Sequence, residues 1–353
     1  MVCASMRRAT GIVVGLLAAV AGSAPMAQAS ASRAGIAYIT GSATSAPNVW
    51  VANGSGGHAR KLGKGDVPLL SPNGRTVAAS NEASSGHALI LYPASGGAAK
   101  EYFNIAQVTA NALAWSPDSR YLAVALSGVN VPSLTGYGLA IIDTKTGTEK
   151  VINNGVIYGA SFAPGASDEL VYARASSVSG TAATNLFTVA ANGTGTKQIT
   201  TDRRSANPVW GKRGIAFDHE KLRPGYAPID QIWLMQPNGS HRKQITHTNV
   251  GLLVQGLVPL AFSADGTRLA AEFEGQDTSI GYSVSILTGH STQLKVGNLA
   301  VSAWGISRSG RSVLISVGGF MQPPNQGKIE EIPFSGGHAT LLIAHGNFPS
   351  WNL

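Results

Sequence analysis

The sequence predicts an all-β fold built from repeated four-stranded antiparallel sheets, and three observations carry that prediction. One turn phrase recurs at a nearly constant period, short apolar runs follow each copy, and the two ends of the repeat region hold complementary parts of one unit. The chain has 353 residues, 44% hydrophobic and 12% charged, with 43 Gly, 17 Pro and a single Cys. That apolar content excludes a disordered tail protein, and one Cys excludes a disulfide scaffold. Length alone would suggest two domains, but closed all-β architectures run longer as one unit.

The phrase starts on an apolar residue and turns on Pro, Asp or Asn, and Gly. It reads Leu70-Ser71-Pro72-Asn73-Gly74-Arg75, Trp115-Ser116-Pro117-Asp118-Ser119-Arg120, Phe162-Ala163-Pro164-Gly165, Phe262-Ser263-Ala264-Asp265-Gly266 and Ile306-Ser307-Arg308-Ser309-Gly310-Arg311. A degenerate copy stands at Trp210-Gly211-Lys212-Arg213-Gly214 and a truncated one at Trp351-Asn352-Leu353. The aligned first residues are 45, 47, 48, 52, 44 and 45 positions apart. A period of roughly 40 to 50 residues with strands inside it is the signature of propeller blades.

Each element of the unit follows from its residues. Pro presets φ at the first turn position, Gly supplies the left-handed residue, and the Asp or Asn side chain caps the turn backbone. Second strands come next, at 76–79, 121–126, 170–173, 215–217, 269–273 and 313–317. Third strands are expected at 48–52, 88–92, 139–143, 185–190, 231–236, 282–287 and 328–334, with short fourth strands such as 197–200 and 243–246. The repeat region enters at a second strand, 35–40, and stops after an orphan first strand ending at Trp351. Pairing those fragments closes a ring and removes its exposed edges. The expectation is a seven-bladed β-propeller over residues 32–353, or six blades if the weak copy at Trp210 is no repeat.

Residues 1–31 read as a separate export segment. Arg7 and Arg8 precede an uncharged run over 11–24, followed by Pro25 and the small residues Ala27, Ala29, Ser30 and Ala31. This is the pattern of a cleaved signal peptide, and its 14-residue run falls short of the roughly 20 needed to span a bilayer. Cys3 precedes the run and would leave with it. Removing Arg7 and Arg8 takes the net charge from +8 to +6, with no basic block. The reading is an exported, monomeric protein, periplasmic or extracellular, with no transmembrane segment in the mature chain and no nucleic-acid footprint.

The Ser-Pro-Asp/Asn-Gly turns, with Gln231-Ile232-Trp233-Leu234-Met235-Gln236-Pro237-Asn238-Gly239 and Lys243-Gln244-Ile245-Thr246, resemble the WD40-like repeats of TolB-type propellers. The resemblance covers residues 35–353 and does not extend to the α/β domain that precedes the propeller in TolB itself. Similar repeats form the lid of prolyl oligopeptidase-like enzymes, whose hydrolase domain has no counterpart in this sequence. A lid-like orphan would need a separate partner chain.

A search for chemistry finds no nucleophile elbow and no His-Glu-x-x-His, paired-Cys or phosphate-loop pattern. No cofactor or metal site is expected. Two of the eight His, His58 and His338, sit in matching Gly-Gly-His-Ala turns. Asn53, Asn192 and Asn238 begin Asn-Gly-Ser/Thr triplets, read as hairpin turns with positive φ at both central residues. Trp115, Trp210 and Trp351 align across blades and are expected to pack between sheets.

Function in propellers concentrates in the loops at one end. The long connections are expected at 127–136, 218–228, 247–256 and 318–327. The densest polar cluster comprises Arg203, Arg204, Asp218, His219, Glu220, Lys221, Arg223, Tyr226 and His247. A solvated insertion accounts for it, and it also suits a rim for an anionic partner held by bidentate arginines. Asp218, His219 and Glu220 together are a weaker candidate for a cation site. Phe320, in an apolar loop, is a second contact candidate. The leading expectation is a non-catalytic binding or scaffold propeller that engages an envelope or extracellular protein or an anionic ligand. The alternative is a propeller enzyme, a lyase or a metal-assisted lactonase or hydrolase, with its site at the central channel.

Overall fold

In the computed structural model the turn phrase works as its residues require. Ser116 Oγ donates to Asp118 Oδ1 at 2.6 Å, and that carboxylate also accepts from the Arg120 N–H at 3.0 Å. Ser263 and Asp265 repeat the arrangement, with Thr267 N–H as second donor. These donors hold the Asp265 carboxyl down at about 2. Gly74, Gly266 and Gly310 take the left-handed position, at φ 66, 72 and 71. The structure describes residues 35–41, 46–81, 87–105, 108–128, 137–165, 168–175, 183–223, 226–248, 256–275, 278–318 and 326–352. The export segment lies outside the described residues.

The turns join strands into an all-β architecture, with no helix among the described residues. There are five separate four-stranded antiparallel sheets. One eight-stranded sheet consists of two more such runs, joined by a single parallel pairing of Asp230 with Gly256. Asn347–Trp351 pairs antiparallel with Ile36–Thr40, placing Ile36 opposite Trp351. The predicted sharing of one sheet by the first and last strands is thus observed.

Strands such as Ile36–Thr40 and Thr76–Asn81 are buried on both faces, and the core is the set of layers between neighbouring sheets. Ala37, Ile39 and Val49 of the sheet holding both ends meet Leu70, Val77 and Ala79 of the next. Its other face sets Ile36 and Tyr38 against Leu314 and Ile329 of the last complete sheet. Trp115 is buried and donates from Nε1 to the Leu69 carbonyl of the preceding sheet at 3.1 Å. Trp210 and Trp351 pack partly buried against other inter-sheet clusters. The expectation of core packing holds for all three.

Two expectations are corrected and one element is unforeseen. Residues 218–223 and 226–228 lie in strands, where a loop was expected over 218–228. Gly214–Arg223 and Tyr226–Met235 are ten-residue strands paired almost to their ends. The polar run continues the strand because its backbone is paired along its length, while the exposed Lys221 and Leu222 face water. The Asn-Gly turns are likewise not the doubly left-handed kind: Gly193 and Gly239 have φ 82 and 84, but their preceding Asn residues are not left-handed. Asn192 and Asn238 instead accept the N–H two residues on through Oδ1, at 2.9 and 3.0 Å, an Asx turn before a left-handed Gly. Lastly, a small two-stranded hairpin, Lys295–Val296 with Leu299–Ala300, was not foreseen.

Candidate functional site

The long hairpin positions most of the expected site residues, and strand alternation sorts them onto two faces. Phe217 packs with the preceding sheet; His219 continues that face. Ala216 and Ile232 pack with Leu257, Leu269, Ala271 and Phe273 of the following sheet. Asp218 and Glu220 continue this second face, as does Asp230, directly opposite Glu220. Asp218, His219 and Glu220 therefore cannot converge on one cation. Among the described residues no three His, Cys, Asp or Glu side chains are grouped to hold a metal ion.

On the first face, Asp202 is the hub. It accepts Ser205 Oγ at 2.8 Å, the Arg204 N–H at 3.0 Å and Arg242 at 2.6 Å, and stands 4.0 Å from His219 Nδ1. The His219 ring meets Trp233 edge-on at 5.1 Å. Burial lowers its pKa, and Asp202 opposes that shift. Arg203 sits at φ 63, its N–H held by Asn185 Oδ1 at 3.0 Å. Arg203 and Arg204 are both exposed, and among the described residues neither guanidinium has a hydrogen-bond or ion-pair partner.

The second face is acidic and largely enclosed. Asp218 is 6% exposed and its Oδ1 has no partner among the described residues. Burial, reinforced by Asp230, pushes its pKa up to about 8, against the pull of its own N–H and of Asn207. Asp230 is raised to about 7 by burial, then by Glu220 and Glu274. In the following sheet, on the side turned away from this hairpin, burial also raises Glu274, and it raises Glu272 to about 8. Sequence reading missed Asp230, Glu272 and Glu274. A signal was present for Glu272 and Glu274, two charges at alternate positions that follow the apolar run Leu269-Ala270-Ala271 of a second strand.

The repeat explains why Asp218 Oδ1 has no partner among the described residues. Ser80, Asp218, Glu272 and Ser316 occupy one equivalent position, three residues beyond the one opposite the start of the turn phrase. All four are buried. Ser80 Oγ donates to the Ala110 carbonyl of the next sheet at 2.8 Å, and Glu272 accepts the Ala303 N–H of its next sheet at 2.6 Å. The residue equivalent to Ala303 beside Asp218 is Pro259, by its spacing from Phe262 and by its pairing with Ala271. Proline has no N–H to give.

Of the remaining candidates, Arg223 stands half-buried at the strand end opposite Tyr226, whose side chain lies outside the described residues. His247 is exposed beyond the short strand Lys243–Gln244. Phe320 lies outside the described residues, as does most of each other long connection. At the opposite end of the same strands, the turn at 211–214 is cut to Lys212-Arg213. It borders a cleft of about 630 Å³ lined by Trp210, Lys212, Arg213, Glu169 and Pro237. The expectation that function concentrates at the long-connection end did not anticipate this cleft.

No protein-family profile matches the sequence, and no curated protein matches it. Solved structures do. TolB from Acinetobacter baumannii is 16% identical, over 90% of this chain and 82% of that one, with a TM-score of 0.53. The β-propeller domain of the Trilobed protease from Pyrococcus furiosus, described as having an open velcro topology, is 12% identical over 89% and 96%, with a TM-score of 0.62. An oligogalacturonate lyase in complex with manganese is 13% identical over 89% and 86%, with a TM-score of 0.58. At such identities the likeness is one of fold, and the fold is that of a TolB-like β-propeller.

Proposed function

We propose that residues 1–31 direct export and that residues 32–353 form a single seven-bladed propeller whose ring is closed by the Ile36–Thr40 and Asn347–Trp351 strands. The four-stranded runs and the two-sided packing of the terminal sheet support that count and that closure. This propeller acts as a monomeric, non-catalytic binding module at the cell envelope or outside the cell, without a cofactor. Arg203 and Arg204 present the contact surface to a carboxylate-bearing partner. The observation that carries this reading is their presentation: the backbone is pinned by Asn185 and Asp202 while both guanidinium groups stand in solvent, free for bidentate bonding. The absence of a membrane-spanning helix among the described residues agrees with it.

The test is capture from envelope extract with residues 32–353, in parallel with Arg203→Ala/Arg204→Ala. A partner held by the native protein and lost by the variant supports the reading; equal retention by both refutes it. A second reading rests on a separate observation: Asp218, Asp230 and Glu272 keep protons near neutral pH, the condition in which a carboxylic acid serves as general acid. All three are on second or third strands, not on the innermost strand, which favours binding over catalysis at the channel. Turnover of oligogalacturonate in the presence of manganese would reverse that preference.

A further inference from the structure

The sequence holds five Asn-Gly pairs, beginning at Asn53, Asn73, Asn154, Asn192 and Asn238. Each is a place where the chain can react with itself, because the glycine nitrogen stands next to the asparagine side-chain amide and no Cβ shields it. Four of the five are held out of that reaction by the same device. The Gly74, Gly193 and Gly239 N–H groups donate to the carbonyls of Ser71, Ala190 and Gln236 at 2.8 Å, and Gly155 donates to the Tyr137 carbonyl at 3.0 Å. An N–H that donates to a carbonyl is stabilised with its proton on, and its nitrogen is a poorer nucleophile.

The pair at Asn53 is placed differently in its turn. Gly56 donates to the Asn53 carbonyl at 3.0 Å, so Asn53 opens the turn and Gly54 is its second residue. At Asn192 and Asn238 the asparagine is third and the glycine closes the turn. Among the described residues the Gly54 N–H has no hydrogen-bond partner. The Asn53 side-chain carbonyl is also the more heavily bonded: its Oδ1 accepts the Ser55 N–H at 3.1 Å, the Ser55 hydroxyl at 2.9 Å and the Gly57 N–H at 2.8 Å. Asn73, Asn192 and Asn238 each accept two donors. Three donors on one oxygen stabilise the negative charge that forms there when a nucleophile adds to its carbon. Gly54 is half-buried and Ser55 exposed, so water reaches the turn.

We propose that Asn53 is a site of spontaneous backbone modification, independent of the exposed arginines. The Gly54 nitrogen gives its proton to water or hydroxide and bonds to the Asn53 side-chain carbonyl carbon. The bond from that carbon to Nδ2 breaks and ammonia leaves, closing a succinimide ring. Water then opens the ring at either carbonyl, to aspartate or to isoaspartate, in which the main chain runs through the side chain and gains one carbon. The net change is amide and water to carboxylate and ammonium. Its position gives the change a consequence. The turn follows Asn48–Ala52 in the sheet that holds both ends of the repeat region, and a Cβ on Gly56 would overlap the Leu342 carbonyl of the neighbouring sheet. A longer main chain here presses on that contact and loosens the packing between the two sheets, so the modified fraction marks the age of the molecule.

Peptide mapping by mass spectrometry of the folded mature chain, incubated at pH 8 in water labelled with heavy oxygen, tests the proposal. Label should enter at Asn53 at least tenfold faster than at Asn73, Asn154, Asn192 or Asn238, and isoaspartate should be detected there by enzymatic methylation. In guanidinium chloride the five rates should converge, because unfolding releases all five glycine amides. Ser55→Ala removes one donor to Oδ1 and leaves Gly54 in place, so it should slow conversion at Asn53 several-fold; an unchanged rate refutes the role given to the donors. The modified fraction, separated by ion exchange, should melt at a lower temperature than the unmodified protein. Equal conversion of all five pairs in the folded chain overturns the proposal. So does an Asn53 that keeps its amide while any of the other four converts, or while the unfolded chain reacts to completion.

Discussion

Replacing Asp218 by Asn keeps the size of the side chain and removes its ability to ionise. In the unfolded chain this carboxyl loses its proton near 3.8, and in the folded chain at about 8. Between those values the folded state binds more protons than the unfolded state, so stability falls as pH rises and levels off above the folded value. Each unit corresponds to about 1.4 kcal/mol, so between pH 5 and pH 8 Asp218 alone removes at most about 4 kcal/mol, less whatever water entry and relaxation recover. The Asn variant lacks this component. It should exceed the native protein by no more than about 2 kcal/mol at pH 5, and that margin should widen by about 2–4 kcal/mol by pH 8. Urea unfolding at the two pH values reads the difference as a shift in midpoint at constant slope. Parallel pH dependence of the two proteins would refute the argument, because it would mean that Asp218 ionises in the folded state as readily as in water.

Three further outcomes follow from the same geometry. Pro259→Ala restores the N–H that Ala303 offers Glu272, a bond that opposes the effect of burial without cancelling it, so it should reduce the pH dependence only in part; a native-like slope in urea titrations would show that the missing amide makes no contribution. Gly256→Ala places a Cβ against the Asp230 backbone at φ 139 and should lower stability by more than about 2 kcal/mol in urea unfolding. Deleting residues 347–353 removes the edge strand that pairs with Ile36–Thr40, together with the Ser350 hydroxyl that accepts the Leu70 N–H at 2.9 Å. Calorimetry should then show a large drop in the melting temperature of the whole domain, and unchanged cooperative melting would contradict ring closure.

Much of the fold was legible because a propeller writes its architecture locally. Ser71, Ser116 and Ser263 each bond an Asp or Asn two residues on. That contact needs only neighbouring residues, so the phrase can be read without the fold. The same holds for the complementary ends, since Ile36–Thr40 and Asn347–Trp351 are recognisable as strands wherever they are placed. The long hairpin was misjudged because charge was taken as a sign of loop. Charged residues extend a strand when its backbone is paired and its polar side chains reach water or a seam.

The candidate site divides along the same line. The sequence alone determined the repeat, its turn chemistry and a concentration of charge near residues 203–223, because these depend on residues adjacent in the chain. Only the tertiary structure decided that His219 and Asp218 face different sheets, that Asp230 and Glu274 both pair with Gly256, and that Pro259 stands where a donor was needed. Each of those facts is a relation between strands roughly 30 to 60 residues apart, fixed by pairing register and packing between sheets. Such relations leave no local pattern, yet they set the burial and like-charge repulsion that hold the acids near neutrality.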